Sequence, residues 1–313
     1  MKVLFRFDGA SWLAERVAQF APELFVQLCS EREDGAYQSM LTESEVLWHV
    51  LRPVTAEAIA AAPRLKLIQK IGVGVNTIDL EAARRRGVAV CNLPGTNTRA
   101  VVELTLLLML ACLRRTTGFD TLTRQGKGWS WPLEWQGRLG EIAGRTIGLV
   151  GFGAVPRLLA PILSALGAEI IYTGRRSYPD AGFPFVPKEE LLARADVVSL
   201  HIPLAEDTCN WLHADAIASL KRGVIVINVA RGGLIDEAAL LAALDDGRVS
   251  AAGLDVFAAE PVPVGNPLLA LSNVVVSPHI AWLTRETIER SLVLAVENCR
   301  RLRNGEALLH LVI

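Results

Sequence analysis

Three side chains suited to acid–base and anion-binding chemistry each follow a short apolar run late in the chain. Arg231 follows "VIVINVA", Glu260 lies in "GLDVFAAEP", and His279 follows "VVVSP". A guanidinium can hold a carboxylate in a bidentate pair and polarise a neighbouring carbonyl. A histidine can protonate that carbonyl oxygen, and a nearby carboxylate favours the imidazolium and fixes the ring. The set suits hydride transfer at a 2-oxo acid.

The alternative interpretation of His279 is a buried structural histidine, in a chain with only five histidines. In parallel α/β proteins, side chains delivered to loops at strand ends tend to carry the chemistry. Because Arg231 and Glu260 occupy equivalent places after other strands, the pattern favours an acid/base role for His279.

A glycine pair in "GLVGFGAVP" marks a candidate phosphate site. Gly151 and Gly153 come between an apolar run and a helical pattern, where backbone can approach a pyrophosphate at a helix N-terminus. Pro156 replaces the third glycine of the fingerprint, and proline is tolerated in the first helical turn. The alternative is a tight turn without a ligand.

The run "AEIIYTGRR" occupies the place of the second strand of a dinucleotide-binding unit. It ends at Gly174, where an Asp or Glu would bind the ribose 2'-hydroxyl, and continues into Arg175 and Arg176. Two guanidinium groups can clamp a 2'-phosphate. The pattern therefore favours NADP(H), with NAD(H) possible. The alternative is a solvated arginine pair at a strand end.

Short apolar runs alternate with amphipathic helical stretches along the chain, which predicts parallel α/β sheets. The first series contains "KVLFRF", "EVLWHVL" and "KLIQKIG", and the second runs from "RTIGLVGFGA" to "NVVVSPH". Between them, "AVVELTLLLMLACLRR" predicts a helix buried between domains or subunits. A closing helix is predicted over about residues 285–304.

Composition narrows the function classes. With 313 residues, 51% hydrophobic, the chain can bury cores for about two domains. A net charge of -1 with interspersed signs predicts no nucleic-acid or membrane partner and a small-molecule ligand instead. The five cysteines lack the close pairs of a zinc site, so reduced thiols and no metal are expected. The N-terminus has no signal-peptide pattern, which favours a cytoplasmic location.

The motifs resemble those of the D-isomer-specific 2-hydroxyacid dehydrogenase family from about Leu65 to the end of the final helix. Blocks such as "KLIQKIGVGVNTIDLEAARRRGVAV", "LKRGVIVINVARGGLIDEAALLAAL" and "VVVSPHIAW" occur in the family's order and spacing. The resemblance implies a Rossmann-type cofactor domain at 100–285 and a discontinuous flavodoxin-like substrate domain at 1–99 and 286–313, with the site in the cleft. Pro156, and Asn76 where aspartate is usual, depart from the family pattern.

The resemblance also implies roles for individual residues. Arg231, Glu260 and His279 would be catalytic, Asp255 would hold the nicotinamide carboxamide, and the amides of Val73 and Gly74 would receive the substrate carboxylate. Leu51 and Arg52 would lie where the substrate side chain is sensed. Trp282 could form one side of the pocket for the substrate side chain, or it could be an ordinary packing residue. The remaining implied cofactor contacts are Ala154, Val155, His201, Pro203, Thr208, Val229 and Ala230.

The reaction implied is NADPH-dependent reduction of glyoxylate or hydroxypyruvate to the D-2-hydroxy acid by a homodimer. One alternative is an NAD-dependent D-2-hydroxyacid or 3-phosphoglycerate dehydrogenase. Another is a dinucleotide-sensing corepressor, whose disordered tails are not seen in this sequence. Formate oxidation is disfavoured, because Glu260 stands where those family members carry glutamine. The tryptophan-rich arm "GKGWSWPLEW" is expected to pack at a subunit interface or to reach the neighbouring site.

Overall fold

The computed structural model describes residues 1–9 and 11–313. The chain divides into two compact units, one made of residues 1–97 and 283–313 and the other of residues 98–282. Each unit is built on one sheet whose strand pairs are all parallel. The predicted fold class, two parallel α/β domains, is confirmed.

The first unit has a five-stranded sheet in the order β2-β1-β3-β4-β5, which is the flavodoxin-like order. Its elements up to residue 97 are β1 Lys2–Arg6, α1 Ser11–Phe20, β2 Phe25–Cys29, α2 Asp34–Glu43, β3 Val46–His49, α3 Ala56–Ala60, β4 Leu67–Lys70, α4 Leu80–Arg85 and β5 Ala89–Cys91.

Burial and capping explain the central elements of this unit. Every residue of β3 and β4 is buried, as expected for strands covered on both faces. The Thr55 hydroxyl and the Asp79 carboxylate accept N–H groups in the first turns of α3 and α4, which fixes where those helices begin. The edge strands β2 and β5 were not predicted from the sequence.

The second unit has a six-stranded sheet in the order β11-β10-β9-β8-β6-β7. Its elements are α5 Thr98–Arg114, α6 Thr116–Arg124, β6 Thr146–Val150, α7 Ala154–Ala165, β7 Glu169–Thr173, α8 Lys188–Arg194, β8 Val197–Leu200, α9 Ala214–Ala218, β9 Val224–Asn228, α10 Glu237–Asp245, β10 Val249–Leu254 and β11 Val274–Val276.

The strand order of this second sheet reverses between β6 and β8. The chain runs from β6 outward to β7 on one side, and then continues from β8 towards β11 on the other. Ligands of open α/β sheets bind outside the carboxyl ends of the strands at such a reversal. Gly151 and His201, which follow β6 and β8, therefore lie where a ligand is expected.

Two long helices were predicted from apolar periodicity and both are present. In α5, Leu108, Met109 and Cys112 are buried in the core of the second unit, while Leu107 and Leu110 are exposed. The last helix is α11, Arg285–Asn304, which belongs to the first unit. Thr284 caps its N-terminus and a left-handed Gly305 ends it.

The cysteines are free thiols, as predicted. Cys29, Cys91, Cys112 and Cys299 are buried, and Cys209 is exposed. Burial raises the pKa of Cys112 and of Cys299 to about 12, so both stay protonated. Across residues 1–9 and 11–313, the helices are all too short or too polar to cross a membrane.

Candidate active site

His279 and Glu260 form a direct pair. Nδ1 of His279 lies 2.6 Å from Oε2 of Glu260, and Oε1 of the same carboxylate accepts the Phe257 N–H at 3.0 Å. Because a carboxylate accepts, Nδ1 carries the donated hydrogen and Nε2 is the ring nitrogen that faces away from the pair. The pair gives His279 a fixed ring orientation.

Asp255 organises the loop that carries His279. Its buried carboxylate accepts the Ser277 hydroxyl at 2.6 Å and the N–H groups of Ile280 and Ala281, both at 2.9 Å. The Asp255 carbonyl accepts the His279 N–H at 2.7 Å, and His279 itself has a left-handed backbone with φ 55°. Non-glycine residues in that region are often found at functional sites. Contact of Asp255 with a nicotinamide carboxamide stays a prediction.

Asn228, the last residue of β9, shapes the turn that presents Arg231. Its buried side-chain amide donates to the Arg231 carbonyl at 2.8 Å, and its amide oxygen accepts the Ala230 N–H at 3.0 Å. One guanidinium nitrogen of Arg231 donates to the Ala230 carbonyl at 2.6 Å. The sequence analysis missed Asn228, although an amide at a strand end beside a candidate arginine is a recognisable signal.

Gly232 lets the Arg231 turn lie directly against the loop that carries Glu260. A Cβ at position 232 would lie 1.8 Å from the carbonyl carbon of Phe257 and 2.3 Å from the Ala258 nitrogen. Both are backbone atoms, which cannot rotate away as a side chain can. This close approach brings Arg231 and Glu260 into electrostatic contact.

Gly232→Ala should lower the free energy of unfolding by roughly 1–3 kcal/mol, the usual cost of overpacking. It should also lower kcat/KM, because relief of the clash separates the Arg231 turn from the Glu260 loop. Urea unfolding and steady-state kinetics measure the two effects. Gly265→Ala is the matched control, since its added Cβ meets no atom within 4 Å. Equal stability and activity in both variants would refute the close-approach argument.

Charge and burial set the protonation states of the cluster. Burial raises the pKa of Glu260, but the hydrogen bond and charge of His279, the Phe257 N–H and the Arg231 charge together leave it below its ordinary value. Burial lowers the pKa of Arg231, and the Glu260 charge offsets part of that effect. Glu260 is therefore an anion and Arg231 a cation near neutral pH.

A cavity of about 560 Å³ lies at the carboxyl ends of β6, β7 and β8. It contains seven of the predicted cofactor residues but not Ala154, Val155, Arg176 or Asp255. The seven are Gly151, Gly153, Gly174, Arg175, His201, Pro203 and Thr208. The predicted contacts Val229 and Ala230 also lie outside the cavity lining, in the turn between the last residue of β9 and Arg231.

The backbone beside this cavity fits the pyrophosphate of a dinucleotide. Gly151 has φ 92°, and a Cβ there would lie 2.8 Å from the His201 carbonyl oxygen. Gly153 precedes α7, whose first residues Ala154 and Val155 carry N–H groups without partners inside the helix. α7 runs unbroken through Pro156, so the missing third glycine does not displace the start of the helix.

His201 and Thr208 shape the wall of the same cavity. Burial lowers the pKa of His201 to about 3, so its ring is neutral, and Nε2 contacts the Ser199 hydroxyl at 2.8 Å. The Thr208 hydroxyl donates to the Pro203 carbonyl at 2.7 Å and accepts the Ala205 N–H at 2.8 Å. A neutral His201 cannot replace His279 as proton donor near neutral pH.

The rim of the cavity carries positively and negatively charged side chains. Arg175 lies 3.6 Å from the Asp207 carboxylate, and both side chains are largely exposed. Arg176 instead places its guanidinium 4.9 Å from the centre of the Tyr178 ring. Lys188, which the sequence analysis missed, lines the cavity and donates to the Trp211 carbonyl at 2.7 Å. No sequence motif identifies Lys188 as a cavity residue. It reaches the cavity because α8 begins at this residue.

Four predicted substrate residues belong to the first unit. Leu51 and Arg52 donate their N–H groups to Oε1 of Glu31, at 3.2 and 3.1 Å. The N–H groups of Val73 and Gly74 donate to no acceptor among the residues that the structure describes, as an anion-binding turn requires. Trp282 is a residue of the second unit and is buried. Their contacts with substrate stay predictions.

Comparison with known proteins finds relatives that are named as reductases of small 2-oxo acids. The chain is 37% identical over 261 residues to a glyoxylate reductase of Korarchaeum cryptofilum, covering 81% of this chain and 78% of the relative. It is 39% identical over 247 residues to a hydroxypyruvate reductase of Thermotoga maritima, covering 78% and 79%. A solved structure of a protein from Thermus thermophilus superimposes with a TM-score of 0.90 at 36% identity, over all of both chains.

A longer relative matches a similar share of this chain. The D-3-phosphoglycerate dehydrogenase of Mycobacterium tuberculosis is 40% identical over 258 residues, which cover 81% of this chain but only about half, 48%, of the relative. The family model for the NAD-binding domain of D-isomer specific 2-hydroxyacid dehydrogenases matches residues 106–281, more than half of the chain. This chain therefore belongs to the D-isomer specific 2-hydroxyacid dehydrogenase family, and it is an NAD(P)-dependent oxidoreductase.

Proposed function

We propose that the chain reduces a small 2-oxo acid, glyoxylate or hydroxypyruvate, to the D-2-hydroxy acid with NADPH. The observation that carries this proposal is the 2.6 Å contact between His279 Nδ1 and Glu260 Oε2, next to the Arg231 turn. The relatives named glyoxylate reductase and hydroxypyruvate reductase support the substrate class.

Each residue of the cluster has one task in this reaction. Arg231 binds the substrate carboxylate through charge-assisted hydrogen bonds and polarises the carbonyl. His279 holds a proton on Nε2 and transfers it to the carbonyl oxygen, while Glu260 keeps the ring oriented through Nδ1. A reduced dinucleotide whose pyrophosphate is held at the Gly151 turn would supply the hydride that becomes the hydrogen on C2. One 2-oxo acid, one NADPH and one proton give one hydroxy acid and NADP⁺.

A second candidate is NAD-dependent oxidation of a D-2-hydroxy acid or of 3-phosphoglycerate. It is favoured by the 40% identity to the mycobacterial D-3-phosphoglycerate dehydrogenase, whose remaining length this chain does not match. The same residues serve the reverse reaction, with neutral His279 accepting the hydroxyl proton. The two candidates are separated by comparing, in one assay, the turnover of glyoxylate or hydroxypyruvate with NADPH and the turnover of a D-2-hydroxy acid or 3-phosphoglycerate with NAD⁺.

The preference for NADPH rests on the end of β7. Gly174 offers no carboxylate to a ribose 2'-hydroxyl, and Arg175 lines the cavity beside it. Asp207 holds Arg175 by a single exposed ion pair at 3.6 Å, a kind of contact that contributes little stability. A 2'-phosphate, which carries more charge than Asp207, can therefore capture the Arg175 guanidinium.

Replacing Arg175 and Arg176 together by alanine should raise KM for NADPH by at least about tenfold and leave KM for NADH nearly unchanged. The reason is the loss of one or two charge-assisted contacts of roughly 1.5–3 kcal/mol each. The Asp207→Asn variant should have the opposite effect. It removes the carboxylate that pairs with Arg175, so KM for NADPH should fall. The arginine effect should shrink as salt rises. Equal KM values for both cofactors in the wild-type protein would refute the preference.

We also infer that the functional unit is a homodimer. Leu107 on α5 is 59% exposed, and Trp129 and Leu133 of the tryptophan-rich arm are 90% and 77% exposed. Large apolar side chains that are this accessible indicate a surface covered in the assembly. The cytoplasmic location stays a prediction from the N-terminal sequence, which has no signal-peptide pattern.

A further inference from the structure

A second cavity, of about 520 Å³, lies in the second unit at the amino ends of its strands. Its lining includes Arg145, directly before β6, Gly223, directly before β9, and Asn273, directly before β11. The cofactor cavity lies at the opposite, carboxyl edge of the same sheet. None of the proposed catalytic or cofactor residues lines this second cavity, so it belongs to no site described above.

Arg115 is a buried cation in this cavity. The residue is only 8% exposed, and its guanidinium has no hydrogen bond or ion pair with any residue that the structure describes. Its guanidinium carbon lies 5.2 Å from the centre of the Trp135 ring. No Arg115 nitrogen is completely enclosed, so the guanidinium nitrogens reach the cavity, where an anion can accept hydrogen bonds from them.

The backbone of Arg115 is an independent sign of constraint. The residue joins α5 to α6 with φ 48° and ψ 39°, in the left-handed region that non-glycine residues seldom occupy. The side chain of this residue lines the cavity. Such strained non-glycine residues are enriched at ligand-binding positions.

The other charged residues of the cavity define what can bind. Burial lowers the pKa of Arg115, and the nearby positive charge of Arg138 lowers it further. Arg145 and Arg222 donate to the carbonyls of Glu141 and Asp246, at 2.7 and 2.6 Å. The Arg145 charge also helps to lower the pKa of Asp196, a residue outside the cavity lining. Asp245 and Asp246 also line the cavity.

The charge balance selects a class of ligand. Four arginines and two aspartates give the cavity a net charge of about +2 at neutral pH. A monophosphate group carries nearly two negative charges and offers three acceptor oxygens, enough for two guanidinium groups. The two aspartates would repel a longer polyphosphate. The volume exceeds that of a phosphate ion and leaves room for the organic part of a small molecule.

We propose that this cavity binds the phosphate group of a small phosphorylated molecule, with Arg115 and Arg138 as the two guanidinium groups that hold it. Arg145 and Arg222 add positive potential at the wall. The site lies across the sheet from the cofactor crevice, so its ligand does not compete with the dinucleotide.

The test is isothermal titration of the protein, saturated with NADP⁺ so that the cofactor crevice is filled, with inorganic phosphate as the probe. The wild-type protein should show saturable binding. Arg138→Gln, at an exposed residue, should weaken that binding about tenfold or more, and Arg115→Gln should weaken it at least as much. Arg194→Gln is the control, because Arg194 pairs with Glu169 and Glu190 on the surface of the same unit.

Absence of saturable phosphate binding in the wild-type protein, or equal affinity in Arg138→Gln, would overturn the proposal. Because Arg138 is exposed, that variant decides the matter even if Arg115→Gln does not fold. Light scattering on the same samples adds a second criterion. If the arginine variants change from dimer to monomer and the wild-type dimer binds no phosphate, a second copy of the chain closes the cavity and the proposal is wrong.

Discussion

Replacing His279 by alanine should lower kcat for 2-oxo acid reduction by roughly 10²–10⁴, the usual contribution of general acid catalysis. Cofactor affinity and unfolding temperature should stay near wild type. The imidazole is hydrogen-bonded to Glu260, whereas the loop around it is held by the Asp255 carboxylate. The side chain can therefore be removed without dismantling the loop. Steady-state kinetics and thermal unfolding measure both expectations.

His310→Asn is the matched control for this variant. His310 is an exposed histidine with φ 52°, a conformation that asparagine tolerates, and it lies in the first unit. Glu260→Gln should give an intermediate loss of kcat, since its amide oxygen can still accept from Nδ1 but brings no charge. Turnover within a few-fold of wild type in His279→Ala would show that another group donates the proton.

Arg231→Gln should lower kcat/KM by roughly 10²–10⁴, and Arg231→Lys by at least about tenfold. Two charge-assisted hydrogen bonds of roughly 1.5–3 kcal/mol each are lost with glutamine, whereas lysine keeps the charge but not the planar fork. The turn itself should survive, because Asn228 and the close approach of Gly232 hold its backbone. The measurement is kcat/KM for glyoxylate and hydroxypyruvate at saturating NADPH.

The control for both Arg231 variants is Arg194→Gln, which removes an arginine from the surface of the same unit and should leave kinetics unchanged. A value for Arg231→Lys within twofold of wild type would place the substrate carboxylate on other donors. The N–H groups of Val73 and Gly74, which find no acceptor within residues 1–9 and 11–313, would then be the first alternative.

The central elements of the fold could be predicted because burial on both faces leaves a pattern of continuous apolar residues. β6, β8 and β9 are such strands, and the spacing of glycine and proline between them marks the turns. The edge strands β2 and β5 of the first unit lack this pattern. β2 contains an exposed Phe25 and a polar Gln27, and β5 is only three residues long, so neither stands out from the sequence.

The site was partly predictable for a related reason. Side chains that follow apolar strands, such as Arg231 and His279, are visible as candidates because the carboxyl ends of parallel strands meet at one edge. Contacts made by distant segments are not visible. The pairing of Arg175 with Asp207, the entry of Lys188 into the cavity and the burial of Arg115 all depend on three-dimensional packing. No periodicity or motif in the sequence encodes them.

The most direct test of the proposed function is steady-state reduction of glyoxylate and hydroxypyruvate by the purified protein, followed by the absorbance of the reduced nicotinamide. We expect saturable turnover of at least one of the two acids, the D-2-hydroxy acid as product, and a kcat/KM for NADPH about tenfold or more above that for NADH. Absence of saturable turnover with either acid and either cofactor, alongside oxidation of 3-phosphoglycerate by NAD⁺, would contradict the account.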